Sequence, residues 1–320
     1  MQQNTRHGVD DGYLKRIVDP TELRERIFLD FREVKYFSSR VSTLQKMSHT
    51  LLDHLGAWSV TDPGLSQDRR RLDRVLLTAA ETAEGVLECL MAPEGDLWIP
   101  ISLMGDELSN MEEVHDDLDP RFRPEVDMDL TPRVWVEAFV LAVASGRVWE
   151  RNLAIGPRYR QSFVPALHFA ARRAGTFSAA DLAQVDVLSL YLTPRVHGKP
   201  LPAVALRMPT EPERATAART LDSAGELSGE QALLRVLLQD DQAAFEQALA
   251  ECLDRYRRDM DAARDPAPRT LLPMGVIALV ALAVQVHGWR VDLSSDYLPE
   301  VLVRAHEGVP PVERPAPSAG

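Results

Sequence analysis

The chain has 320 residues, 45% of them apolar and 26% charged, which is ordinary globular usage and excludes wholesale disorder. Its 36 basic and 48 acidic residues leave a net charge of −12, the reverse of a nucleic-acid binder's balance. Two distant cysteines, Cys89 and Cys252, exclude zinc ribbons and disulfide scaffolds and read as buried free thiols.

The polar start, residues 1–18, has no apolar stretch of the kind a secretory signal needs and is expected to be disordered. Asp19-Pro20-Thr21-Glu22 then marks a helix start, followed by Leu23, Ile27, Phe31 and Val34 at helical spacing. Val41, Leu44, Met47, Leu51 and Leu55 predict a second helix that ends near Gly56. A third runs from about Leu65 to Met91. Pro100 confines Leu97–Leu103 to a short edge strand or extended loop. Residues 106–130 hold ten acids against Arg121 and Arg123, and read as a loop or a frayed short helix.

Thr131-Pro132 caps a further helix through Trp135, Phe139 and Val143, and helices are expected over Tyr159–Arg172 and Ser178–Leu192. Five prolines between Pro194 and Pro212 suggest a connector, 194–212, between halves 19–193 and 213–307 of one domain. Beyond it, Ser228–Leu238, Gln242–Arg264, 271–287 and a short segment after Asp296 read as helical, and the proline-rich tail 308–320 as disordered. No ionised side chain occurs from Thr270 to Trp289, and Val276–Val284 is wholly apolar. With Pro273 and Gly275 at its start, that stretch reads as a central buried helix rather than a membrane span. The fold class is therefore all-α, a multi-helix array of antiparallel pairs, solenoid-like, around one buried apolar helix.

Few residues suggest chemistry. Glu81, Glu84 and Glu88 can share a helix face, but a di-metal site needs a Glu-x-x-His on each of two other helices, a pair the chain does not supply. A solvated face, or one glutamate bonding a neighbouring turn, is the plainer reading. His115-Asp116 resembles the dyad of metal-dependent His-Asp phosphohydrolases, with His49 or His54 as nominal partners, yet it stands in the acidic run instead of on a rigid helix. No nucleophile elbow, phosphate loop or calcium loop occurs, so no catalysis, cofactor or metal is expected.

Phe245, Ala248 and Leu249, then Gly275, Ala278, Leu282 and Ala283, then Gly288 and Ser295-Asp296-Tyr297-Leu298-Pro299 together resemble the immunity 49 family. Ala80–Gly85 with Glu88-Cys89 is similar to that family's central helix, and Trp135, Ala138, Phe139, Leu141 and Ala142 to the helix after it. The likeness spans about residues 65–305. It departs where 106–130 and 194–212 are longer than usual and where Gln285 replaces an acidic residue. The resemblance implies a non-enzymatic, all-α cytoplasmic protein that binds and neutralises a nearby-encoded toxin. The acidic run makes Glu107, Glu112, Glu113, Asp116, Asp117 and Asp119 candidate contacts to a basic, nuclease-like toxin, against the plain reading of a solvated linker. A His-Asp phosphohydrolase and a generic helical-repeat adaptor are the alternatives. Neither nucleic acid nor membrane is expected as a partner.

Overall fold

The computed structural model describes residues 6–36, 41–91, 98–109, 129–149, 158–175, 177–194, 205–304 and 312. They form twelve α-helices, short 3₁₀ and π turns, and one two-stranded hairpin. The fold is all-α. Contacts group the chain into two compact units, divided otherwise than at the proline-rich stretch: Gly8–Leu130 with Arg264–Leu272, and Thr131–Ala263 with Met1–His7 and Pro273–Gly320.

The first unit holds α1 (Asp11–Ile17), α2 (Pro20–Tyr36), α3 (Val41–Thr61), α4 (Arg69–Met91), β1 (Trp98–Ile101), β2 (Asp106–Ser109) and a 3₁₀ turn (Pro268–Leu271). The expected disorder of residues 1–18 gives way here to helix α1. Asp10 accepts from the Tyr13 N–H at 2.8 Å, and Leu14 and Ile17, three apart, bury one face against Ala57 and Leu271. Val9 and Val18 pack against the same cluster.

Helix α3 does not stop at Gly56 but runs on to Thr61. The glycine is a notch, because a Cβ there would strike the Pro268 carbonyl. Asp53 fixes the crossing backbone, accepting from Arg269 N–H and from its guanidinium, both at 2.9 Å. Helices α3 and α4 pack along their lengths, and Ser48 Oγ donates to Ala79 O at 3.3 Å between them.

The strand expected near Pro100 is β1. Its antiparallel partner β2 lies where a loop or frayed helix was expected, pairing Trp98 with Ser109 and Ile101 with Asp106. Alternation turns Ile99, Ile101 and Leu108 inward, and that burial, rather than the acidic composition, decides the conformation of 106–109.

His54, fully buried on α3, donates from Nδ1 to Ile17 O at 2.7 Å, while Arg71 donates to its Nε2 at 2.7 Å and to Val18 O at 3.0 Å. Burial pushes the imidazole down to about 4; the Ile17 carbonyl opposes this and the Arg71 charge reinforces it. Between pH 6.5 and 4 the unfolded chain therefore binds a proton that the folded chain refuses. Stability should fall by about 3 kcal/mol as pH drops through that window. Urea unfolding across the range should show this slope, and His54→Asn should lose it.

The second unit holds α5 (Pro132–Ser145), a 3₁₀ turn (Arg147–Trp149), a π turn (Arg158–Phe163), α6 (Val164–Ala174), α7 (Ala179–Ser189), α8 (Glu211–Ser223), α9 (Gly229–Leu237), α10 (Gln242–Ala262), α11 (Met274–Gln285) and α12 (Glu300–Val303). Caps stand where the sequence placed them: Thr131 Oγ1 accepts from Val134 N–H at 3.3 Å, and Ser178 Oγ from Asp181 N–H at 3.0 Å. Helix α11 is buried continuously from Val276 to Ala283 and packs on α5, α9 and α12. The segment Pro268–Gln285 is long and apolar enough to cross a membrane, yet 78% of it is buried, as a core helix would be.

The described half of the proline-rich stretch is docked, not merely connecting. Leu206 bridges Leu192, Arg207 N–H donates to Tyr191 O at 2.7 Å, and Leu206 and Met208 are buried. The tail 308–320 lies outside the described residues except for Val312.

Candidate functional site

Of the six acids proposed for toxin contact, Glu107 lies in the structure, and Glu112, Glu113, Asp116, Asp117 and Asp119 lie outside the described residues, as does His115. Glu107 is exposed on β2 opposite Pro100. By strand alternation Trp98, Pro100, Glu107 and Ser109 share the outward face of the hairpin. Beside it, Asp106 accepts from the Glu107 N–H at 2.8 Å and pairs with Lys35 of α2 at 3.2 Å. The backbone bond first, and Lys35 second, hold its carboxyl below the usual carboxylate range. A groove of about 640 Å³ opens next to Asp106, walled by Phe28 and Phe31 of α2 and by Met104 of the hairpin turn.

The three glutamates of α4 are not a solvated face. Glu81 and Glu84 are buried and Glu88 is half-buried. Glu81 accepts from the backbone N–H and hydroxyl of Ser102, at 2.8 and 2.6 Å, so its carboxylate holds the hairpin turn. Thr78, one turn earlier, accepts from Leu103 N–H at 2.9 Å. Gly85 lets the hairpin close, since a Cβ there would lie 2.8 Å from Ile99 Cγ2. These family-like residues position the hairpin that carries Trp98 and Glu107.

In the second unit the Ser-Asp-Tyr-Leu-Pro element ties distant parts of the chain together. Tyr297 is fully buried, and its hydroxyl meets His7 Nδ1 at 2.8 Å and accepts from His7 N–H at 3.0 Å. Its ring meets Tyr256 edge-on, with centroids 5.7 Å apart. Arg6 Nε donates to Asp296 O, so the element secures the start of the chain. Pro299 is the N-cap of α12, and Ser295 caps a turn by accepting from Tyr297 N–H at 3.2 Å.

Trp135 stacks on Phe139 at 5.2 Å and donates to Tyr159 O at 3.3 Å. A Cβ on Gly275 would collide with the Glu230 carboxyl, which lies at the otherwise uncapped N-terminus of α11. Burial raises that carboxyl above its ordinary range, against the bond from Gln184 Nε2 at 2.8 Å. Gly288 turns the chain at φ +67°, a conformation that favours glycine. Gln285, the departure from the family pattern, accepts from Trp149 Nε1 at 3.0 Å and donates to Arg304 O at 3.4 Å. A carboxylate could not make the second bond.

Sequence reasoning missed one cluster. His287 contacts Asp240 Oδ1 at 2.8 Å through Nδ1 and Tyr191 OH at 3.0 Å through Nε2, with Trp289 against its ring at 4.6 Å. The arrangement resembles a proton relay, but His287 and Tyr191 are fully buried and leave a substrate no access. Residues 96 and 47 positions apart gave no motif to find. Among the described residues no three His, Cys, Asp or Glu side chains come together to hold a metal, and the phosphohydrolase reading gains no support.

No curated protein and no solved structure matches the chain. The family described as immunity protein 49 matches it over residues 67–302, which include α4, the hairpin, α11 and the Tyr297 element. The chain therefore belongs to the immunity protein 49 family, as a non-catalytic protein that neutralises a cognate toxin.

Proposed function

We propose that the protein neutralises its toxin in the cytoplasm by stoichiometric capture, and that the toxin domain is basic. The observation carrying this reading is charge concentration. Residues 106–130 hold net −8 of the chain's −12, and the described start of that run, Asp106 and Glu107, stands exposed on the hairpin. Like charges gathered in one segment repel each other, and a cationic partner relieves that cost while steering accelerates its encounter. Carboxylates elsewhere, the buried Glu81 and the half-buried Glu230, are committed to a turn and a helix end.

The test neutralises Glu107, Glu112, Glu113, Asp116, Asp117 and Asp119 together, to Gln or Asn, and measures k_on against the toxin domain encoded beside the protein. At low salt k_on should fall about tenfold or more, and its dependence on ionic strength should flatten, because exposed charges are screened within about 8–10 Å at physiological salt. A k_on and salt slope equal to wild type would make the run a linker and place the interface elsewhere.

A further inference from the structure

Two histidines hold residues 6–18, and hydrogen-bond geometry fixes the proton on each. The Tyr297 hydroxyl accepts from the His7 N–H at 3.0 Å and lies 2.8 Å from His7 Nδ1; among the described residues it has no other polar partner. Its own proton therefore goes to Nδ1, which must be bare. At His54, Nδ1 faces the Ile17 carbonyl, which can only accept, and Nε2 faces Arg71, which can only donate. Nδ1 therefore carries the proton and Nε2 is bare. Both rings are neutral, and each spends its bare nitrogen as an acceptor.

His7 is buried, with the Tyr297 ring stacked on it at 5.8 Å and the Tyr256 ring edge-on at 6.3 Å. Burial lowers its pKa from the ordinary 6.5; Asp261 opposes the shift, and the charges of Arg6 and Arg257 reinforce it. At His54 burial again leads, with Arg71 reinforcing it and the Ile17 carbonyl and Asp19 opposing. A proton added at His54 sets a second donor against Arg71. One added at His7 strands the buried hydroxyl proton of Tyr297, which then has no acceptor. Each ring thus takes up a proton more readily once the segment it holds has left. Docking is at full strength above pH 6.5 and weakens as pH falls below it.

We propose that residues 6–18 form an acid-released strap, closed by two neutral histidines, that undocks while the rest of the chain stays folded. Arg6 and His7 belong to the second unit and Gly8 onward to the first, so each clasp is set within its own unit. Local release is favoured because α1 has seven residues and, among its described side chains, buries only Leu14 and Ile17. Short elements with little buried apolar surface open at the lowest free energy. The device does not depend on how the toxin is captured.

The experiment is hydrogen exchange of the full chain at pH 7 and pH 5, corrected for the intrinsic pH dependence of exchange. Peptides over residues 6–10 and 11–18 should each lose protection about fivefold or more at pH 5, since uptake of one proton shifts an equilibrium by up to about tenfold per pH unit. His7→Asn leaves Tyr297 an acceptor that does not titrate, and should abolish the response over 6–10 while 11–18 keeps it. His54→Asn leaves Ile17 a donor that does not titrate, and should do the reverse. At both pH values the strap should exchange at least about tenfold faster than α4 and α10, as local opening requires. Equal rates would mean that it opens only when its unit unfolds, and overturn the strap. A variant that keeps the wild-type pH response overturns the clasp it removes. Should a variant fail to fold, the wild-type peptide decides: protection unchanged at pH 5 overturns that clasp, and loss there with α4 and α10 still protected supports it.

Discussion

Ala281→Asp should leave no cooperatively folded protein. Ala281 is fully buried in α11, inside an unbroken buried run from Val276 to Ala283, with α5 and α9 packed on the helix. Every face of that helix is protein, so the carboxylate could neither reach water nor find a cation. An unpaired buried charge costs several kcal/mol or more, and whole domains are stable by only about 5–15 kcal/mol. The expected result is insoluble protein, or a chain without a sharp urea transition. A soluble variant with a cooperative transition would contradict the central placement of α11. Ala281→Val, which adds volume without charge, should remain folded, at a cost of about 1–3 kcal/mol for overpacking.

Gly56→Ala should destabilise the first unit by about 2–3 kcal/mol, although in an open helix the same change would gain about 1. The added methyl must enter space held by the Pro268 carbonyl, with Pro268 C only 2.7 Å away. That backbone cannot retreat freely, since Asp53 binds Arg269 through two 2.9 Å contacts. Urea unfolding followed by the fluorescence of Trp58, two residues on, reads the loss. A variant as stable as wild type, or more so, would mean that no close crossing exists at Gly56.

The same glycine shows where sequence reading succeeds and fails. Chemistry that depends on local pattern was legible: the caps at Thr131 and Ser178, and the all-apolar α11, need no knowledge of distant residues. Gly56 fits the rule for a helix stop as well as the rule for a close approach, and only the position of Pro268, more than 200 residues away, chooses between them. Of the two plain readings of the α4 glutamates, the solvated face fails and the bond to a neighbouring turn holds for Glu81, but the Ser102 donors that admit it to the interior lie on a hairpin whose second strand is hidden in acidic composition. The pairing of Tyr297 with His7 spans 290 positions and leaves no trace in either neighbourhood. The acidic run proposed to contact the toxin was plain from charge alone. The exposure of Phe28 and Leu29 on α2 was not, because a helical apolar pattern does not say which of its members will be left outside.

The two cysteines give each unit its own chemical clock. Cys89 sits buried in α4 of the first unit and Cys252 buried in α10 of the second. Burial pushes their thiols up to about 12 and about 11. At pH 7 only about one Cys89 in 10⁵ is therefore thiolate, so an alkylating reagent waits for the fold around it to open. The rate of blocking at each sulfur, resolved by mass spectrometry of the two peptides, then reports the opening free energy of one unit without reference to the other. The native chain carries these reporters already, and toxin binding that steadies one unit alone would slow one clock and not its companion.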